Sequence, residues 1–105
     1  MQLFILDKNP TLASRYLSDC HVIKMCLETA QILSSVCFNR GISIPKQCPK
    51  PYNPKHPVIQ AIKTPEQIQW VVSYNYDLHT EFLHRFGKPH AYFWNSILYC
   101  DLLGV

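Results

Sequence analysis

With 105 residues, 48% of them hydrophobic and 12% aromatic, the chain is long enough for one small domain with a real core and too apolar to be disordered. It has no apolar run of the roughly 18 residues that a membrane span requires, so the sequence predicts no membrane partner. A net charge of +3 does not by itself argue for nucleic acid, but from Thr29 to Pro65 there is no acidic residue, while Arg40, Lys46, Lys50, Lys55 and Lys63 all lie there.

Gln2 to Leu6 (QLFIL) is a short apolar run compatible with a buried strand. Asn9-Pro10 reads as a helix start, with Asn9 as cap and Pro10 in the first turn, giving a short helix through about Leu17. Ser18 or Asp19 then caps a long helix that runs to Asn39-Arg40-Gly41, where Gly41 is a C-terminal stop. Within it, CHVIKMCLETAQILSSV (Cys20 to Val36) is apolar most of the way round, which marks a central helix. His21, Lys24, Glu28, Gln31 and Ser35 form a polar stripe only about 80° wide at the helical 100° per residue. Such a stripe either lines a pocket or faces water with a Lys24–Glu28 ion pair, and the pocket is the reading preferred here.

Residues 42–57 hold five prolines and three lysines and form a loop with extended pieces. An ordered loop of that length in so small a chain tends to be functional. Pro57 to Lys63 reads as a short helix. Thr64-Pro65-Glu66-Gln67 is a capping-box start for a helix that continues to about Phe86 and stops at Gly87. One of its faces carries Ile68, Val71, Val72, Leu78, Phe82, Leu83 and Phe86. Another carries Trp70, Tyr74, Asp77, Glu81 and Arg85, with Lys88 just beyond; its aromatics either stack a planar ligand or pack on a neighbour. His79 and His84 read as structural. Ala91 to Leu103 is a last, strongly apolar helix that packs or dimerises, which predicts a homo-oligomer. The expected fold is mainly α: residues 1–105 as a single small helical domain with a central, mostly buried helix, one short N-terminal strand and a long Pro-rich loop. The five cysteines are odd in number and lack framework spacing, no leader-like segment precedes them, and no CxxC or HExxH motif occurs. They read as small buried hydrophobes in a cytoplasmic protein without metal or cofactor.

The start FILD (Phe4 to Asp7), the segment SDCHVIKMCLETAQILSS (Ser18 to Ser35), His56-Pro57 and EFLHRFGKPH (Glu81 to His90) together resemble a family of small phage-encoded proteins. That family carries C-D-K-H-V-x-K-M-x-x-E at the central helix and E-[FY]-x-x-R-[FY]-G-K-x-H later. The chain departs from the pattern at Ser18 and Cys20, where the family has Cys and Lys. The resemblance implies that His21, Lys24, Glu28, His56, Glu81, Arg85, Lys88 and His90 belong together, in a protein of the host-cell cytoplasm.

Cations at Lys24, Arg85 and Lys88, imidazoles at His21, His56 and His90, and carboxylates at Glu28 and Glu81 make an anion-reading set, with Trp70 or Tyr74 to stack a base. Their chemistry suits a nucleotide-type phosphate ligand; no Gly-rich phosphate loop is present. Three functions are open. The leading one is a binding module that sequesters an immune nucleotide signal for a phage, an anti-defence role. The second is a metal-independent phosphodiesterase or nuclease, with His21 and either His56 or His90 as acid and base. The third is a nucleic-acid-binding accessory protein that uses Lys46, Lys50 and Lys55 of the Pro-rich loop.

Overall fold

The computed structural model describes residues 9–92 and 95–105. The strand expected at Gln2 to Leu6 lies outside them. Five helices follow in order: α1 (Pro10–Arg15), α2 (Asp19–Asn39), α3 (Pro57–Gln60), α4 (Pro65–Phe86) and α5 (Asn95–Leu103), with no strand among the described residues. No helix among the described residues is long and apolar enough to cross a membrane.

Local chemistry sets most of these boundaries. The Asn9 side chain accepts from the Thr11 and Leu12 amides, and Pro10 needs no donor partner in the first turn. In α4, Thr64 Oγ1 accepts from the Gln67 amide at 3.1 Å while Gln67 Oε1 accepts from the Thr64 amide at 3.0 Å, the reciprocal pair of a capping box. Gly87 ends α4 at φ 71°, a conformation that side chains bearing a Cβ rarely adopt. The last helix starts at Asn95 instead of Ala91: a turn closes from the Asn95 amide to the Tyr92 carbonyl, and Asn95 Nδ2 donates to the Gln47 carbonyl at 3.1 Å. These polar tethers, hidden in an apolar run, delay the helix.

α2 and α4 pack antiparallel. Ala30, Ile32, Leu33, Val36 and Cys37, late in α2, meet Ile68, Val71 and Val72, early in α4, together with Ile59 of α3 and Tyr99 and Leu103 of α5. At the other end Val22, Met25 and Cys26 meet Tyr74, Leu78 and Phe82, with Ala13 of α1 and Leu17. α2 is thus the central helix, although Ile23 and Leu27 on its first turns are exposed. Of the cysteines, Cys26, Cys37 and Cys48 are buried and Cys20 is exposed.

A chain of buried hydrogen bonds fixes how the three helices line up. Thr29 Oγ1 donates to the Met25 carbonyl at 2.6 Å, Asn75 Nδ2 donates to Thr29 Oγ1 at 2.7 Å, and Ser96 Oγ donates to Asn75 Oδ1 at 2.5 Å. Beside it, the Tyr99 hydroxyl donates to the Ala30 carbonyl at 2.9 Å and receives the Ser34 hydroxyl at 2.7 Å. Every one of these side chains is buried, so each lost bond would strand a desolvated polar atom. Asn75→Ala is therefore expected to cost about 2–4 kcal/mol in urea denaturation, whereas Gln69→Ala on the exposed face of α4 should stay within about 0.5 kcal/mol.

Candidate functional site

The face of α4 that carries Trp70, Tyr74, Asp77, Glu81 and Arg85 is where α1 docks. Thr11 Oγ1 donates to Asp77 Oδ2 at 2.9 Å, and Ala13 and Leu17 pack with Tyr74. Burial raises the Asp77 carboxyl above its ordinary range, with the Thr11 bond and the charge of Arg15 pulling it back. Tyr74 is 0% exposed and its ring lies 4.8 Å from that of the half-buried Trp70; burial pushes its hydroxyl up to about 12. No face of Tyr74 is left for a nucleobase. The stacking expected of it is corrected: the ring packs on a neighbouring helix.

Arg85 is committed in the same way. Its Nε donates to Glu81 Oε1 at 2.8 Å, Nη1 to the Leu17 carbonyl at 2.8 Å and Asp19 Oδ1 at 3.0 Å, and Nη2 to the Arg15 carbonyl at 3.1 Å. Burial works against the guanidinium charge, but the bonds and charges of Glu81 and Asp19 outweigh it and hold Arg85 above its ordinary value. Arg85 thus brackets the end of α1 and the start of α2 onto α4, and Glu81 serves as its counter-ion. A phosphate clamp would need those same donors. Lys88 is exposed just beyond the end of α4.

Of the three histidines, His56 lies apart from the other two. His56 caps α3, its Nδ1 accepting from the Val58 amide at 3.1 Å. His90 Nδ1 accepts from the Tyr92 amide at 3.2 Å, and its ring lies 5.1 Å from those of both His79 and Phe82. That places His90 at the α2 start, where Phe82 meets Val22. Asn39 Nδ2, at the other end of α2, donates to the Pro54 carbonyl at 2.9 Å, two residues before His56. From His21 to Asn39 the helix rises about 27 Å. A His21–His56 acid–base pair on one phosphodiester is therefore ruled out by distance. His79 is fully buried, and burial, with the nearby His90 charge adding to it, lowers its imidazole to about 4; burial lowers His90 as well.

What stays on the surface is the middle of the α2 stripe and the loop beyond it. Lys24 Nζ lies 3.8 Å from Glu28 Oε1, with the lysine side chain 61% exposed and the glutamate 21%. Clefts of about 440 Å³ beside Gln47 and Leu98, about 400 Å³ between Pro10, Tyr76, Asp77 and Ile97, and about 190 Å³ beside Arg40 and Lys63 are lined by none of the histidines and by neither Lys24 nor Glu28. Among the described residues the Lys24 end of the stripe faces water and carries the ion pair with Glu28. About 10 Å further along α2, Ser35 is roofed by the Pro-rich loop: its Oγ accepts from the Tyr52 amide at 3.0 Å. Arg40, Lys46, Lys50, Lys55 and Lys63 are all exposed around this end of the molecule, in the segment of the sequence that has no carboxylate. The arrangement is a carboxylate and a lysine beside a cationic surface. Tyr52, which sits in that surface, was missed by sequence reasoning; an aromatic ring between Pro51 and Pro54 in a lysine-rich loop was the available signal.

Compared with known families, the chain matches pyrimidine dimer DNA glycosylase over residues 1–95. No curated protein and no solved structure matches it. The family match overturns the expectation of a nucleotide-sequestering anti-defence protein, because the family is described by an activity on DNA. The sequestration reading leaned on Arg85, Glu81 and Tyr74 as ligand contacts, and the fold uses all three internally. The nuclease and nucleic-acid-binding alternatives lie nearer the match.

Two outcomes follow from these contacts. Arg85→Ala should lower stability by about 2–4 kcal/mol in denaturant titration, and Arg85→Lys should recover only part of it, since an ammonium cannot span the Leu17, Arg15, Asp19 and Glu81 acceptors. His79 binds its proton near the ordinary value of 6.5 when unfolded and only near 4 when folded. Between those values the unfolded state holds the extra proton, so stability falls as pH falls from about 6.5 to 4, by up to about 3 kcal/mol. Melting curves across that window should show the loss, and His79→Leu should flatten a large part of it.

Proposed function

Because the chain belongs to the pyrimidine dimer DNA glycosylase family, we propose that it excises dimerised pyrimidines from DNA by hydrolysing the bond between C1′ and the base nitrogen. The family match carries this reading, and the distribution of charge supports it. Lys50, Lys55, Lys63 and Arg40 are exposed cations suited to phosphates, with no carboxylate between Thr29 and Pro65 to oppose them. Duplex DNA must yield its target nucleotide before an enzyme reaches the sugar, and a lesion that stacks poorly lowers the cost of extrusion.

Glu28 is the proposed general base. Glycosidic hydrolysis passes through a sugar cation, and a carboxylate beside it both stabilises that charge and takes a proton from the attacking water. The water oxygen bonds to C1′, its proton passes to Glu28, and the electrons of the C1′–N1 bond leave with the base, which takes up a proton. Glu81 is a poorer candidate because Arg85 Nε holds it at 2.8 Å. Lys24, 3.8 Å from Glu28, would hold the phosphate next to the target sugar, and its exposure allows it to swing toward DNA. His21, about two turns before Glu28 on the same stripe, would give the departing base its proton.

The test uses a 5′-labelled duplex oligonucleotide with one cyclobutane thymine dimer, followed by hot alkali to cut at any abasic site. Wild-type protein should generate an alkali-labile site at the dimer and none in undamaged duplex. Glu28→Gln should lower the excision rate by at least 100-fold while retaining duplex affinity. Lys24→Ala should weaken binding without abolishing turnover. An intact dimer after prolonged incubation, on DNA the protein demonstrably binds, would sink the glycosylase reading and leave an accessory DNA-binding protein.

A further inference from the structure

The Pro-rich loop holds its backbone still while presenting one aromatic ring to solvent. Ser35 Oγ, buried on α2, accepts from the Tyr52 amide at 3.0 Å and shares its proton between the Gln31 carbonyl at 2.8 Å and the Tyr52 carbonyl at 3.2 Å. Two residues on, the Pro54 carbonyl accepts from Asn39 Nδ2 at 2.9 Å and Gln60 Nε2 at 3.0 Å, so α2 and the end of α3 both grip it. Between these anchors Asn53 takes φ 51°, and its carbonyl accepts from the His56 amide at 2.9 Å. Pro51 and Pro54 fix their own φ angles on either side. Tyr52 nevertheless remains 59% exposed, flanked by the exposed Lys50 and Lys55. The fold thus immobilises the backbone of a residue whose side chain it scarcely buries.

We propose that Tyr52 is a base-stacking platform, on which a nucleobase of DNA exposed at the lesion packs while Lys50 and Lys55 hold the phosphates on either side. The assignment rests on the DNA reading above, but it concerns binding, and it can stand or fall separately from excision. An aromatic ring offers every base the same apolar face, with only two side-chain torsions to immobilise. The preset backbone removes the further cost of ordering a loop on contact. Exposed cations on both sides in the sequence suit the phosphates of a nucleic-acid strand, and they disfavour an apolar protein partner at the same spot.

The experiment measures affinity for dimer-containing duplex, undamaged duplex and single-stranded DNA over a range of salt concentrations, using wild type, Tyr52→Ala, Tyr52→Phe, Lys50→Ala and Lys55→Ala. Tyr52→Ala should weaken binding of dimer-containing duplex and single strands about 10-fold, change undamaged duplex less, and leave the salt slope unaltered, because stacking releases no counterions. Tyr52→Phe should bind like wild type. Each lysine variant should lower the salt slope by about 1. The contacts to Ser35 use only the Tyr52 backbone, so Tyr52→Ala should melt as wild type does, and a shared melting temperature shows that the fold is intact. Wild-type affinity in Tyr52→Ala, or equal weakness in Tyr52→Phe, would overturn the platform even if dimers are excised. A protein that excises nothing yet loses affinity on Tyr52→Ala alone would refute the glycosylase reading and uphold the platform.

Discussion

Asn75 is the residue through which α2, α4 and α5 share one register. Its side-chain amide receives Ser96 from α5 and donates to Thr29 on α2, and all three groups are sealed from water. Apolar packing alone would tolerate a slide of α4 along α2, since Leu33, Val36, Ile68 and Val71 offer similar surfaces one turn on. A slide of that size would break the Thr29–Asn75–Ser96 chain and leave buried polar atoms without partners. The hydrophobic seam supplies the driving force, and the polar chain selects one alignment from those the seam would accept.

That alignment decides which charges remain for function. At the start of α2 it brings Asp19 and Glu81 to Arg85, so the guanidinium is engaged by two carboxylates. At the end of α2 the acid-free stretch gathers exposed lysines and Arg40, with no carboxylate of its own to quench them. A modest net charge therefore resolves into one pole whose guanidinium is tied up in the fold and another whose cations are exposed. Lys24 and Glu28 lie between the two along α2.

The helices were legible because their signals are local. Asn9-Pro10, Thr64-Pro65 with Gln67, and Gly87 act on backbone groups within a turn, and no distant partner changes their meaning. The central position of α2 was legible for a related reason, since a helix apolar round most of its girth has to be surrounded. The fate of the polar residues was not. A wheel groups Trp70, Tyr74, Asp77, Glu81 and Arg85 on one stripe of α4 but is silent on what lies over it; α1 does, through Thr11, Ala13 and the carbonyls of Arg15 and Leu17. Polar atoms there satisfy one another across the helix pair, and that pairing is tertiary. The spread of His21, His56 and His90 has the same origin. Being in one set of motifs says nothing about the length of α2, which keeps the first two at opposite ends.

The Pro-rich loop shows why such pairing also creates function. A stretch rich in proline lacks donors to build regular structure, and its own residues bury little. Here Ser35, Asn39 and Gln60 reach out from α2 and α3 to bond the backbone at Tyr52 and Pro54. The small polar residues at the end of the α2 stripe, which a wheel assigns to solvent or to a pocket, are thus the fastening points of a loop. Because that fastening acts only on backbone atoms, it leaves the side chains of Lys50, Tyr52 and Lys55 to face outward. The stripe changes role along its length, from an ion pair at Lys24 and Glu28 to a scaffold at Ser35 and Asn39, and the same helix that carries the candidate carboxylate also fixes the surface that would hold the DNA beside it.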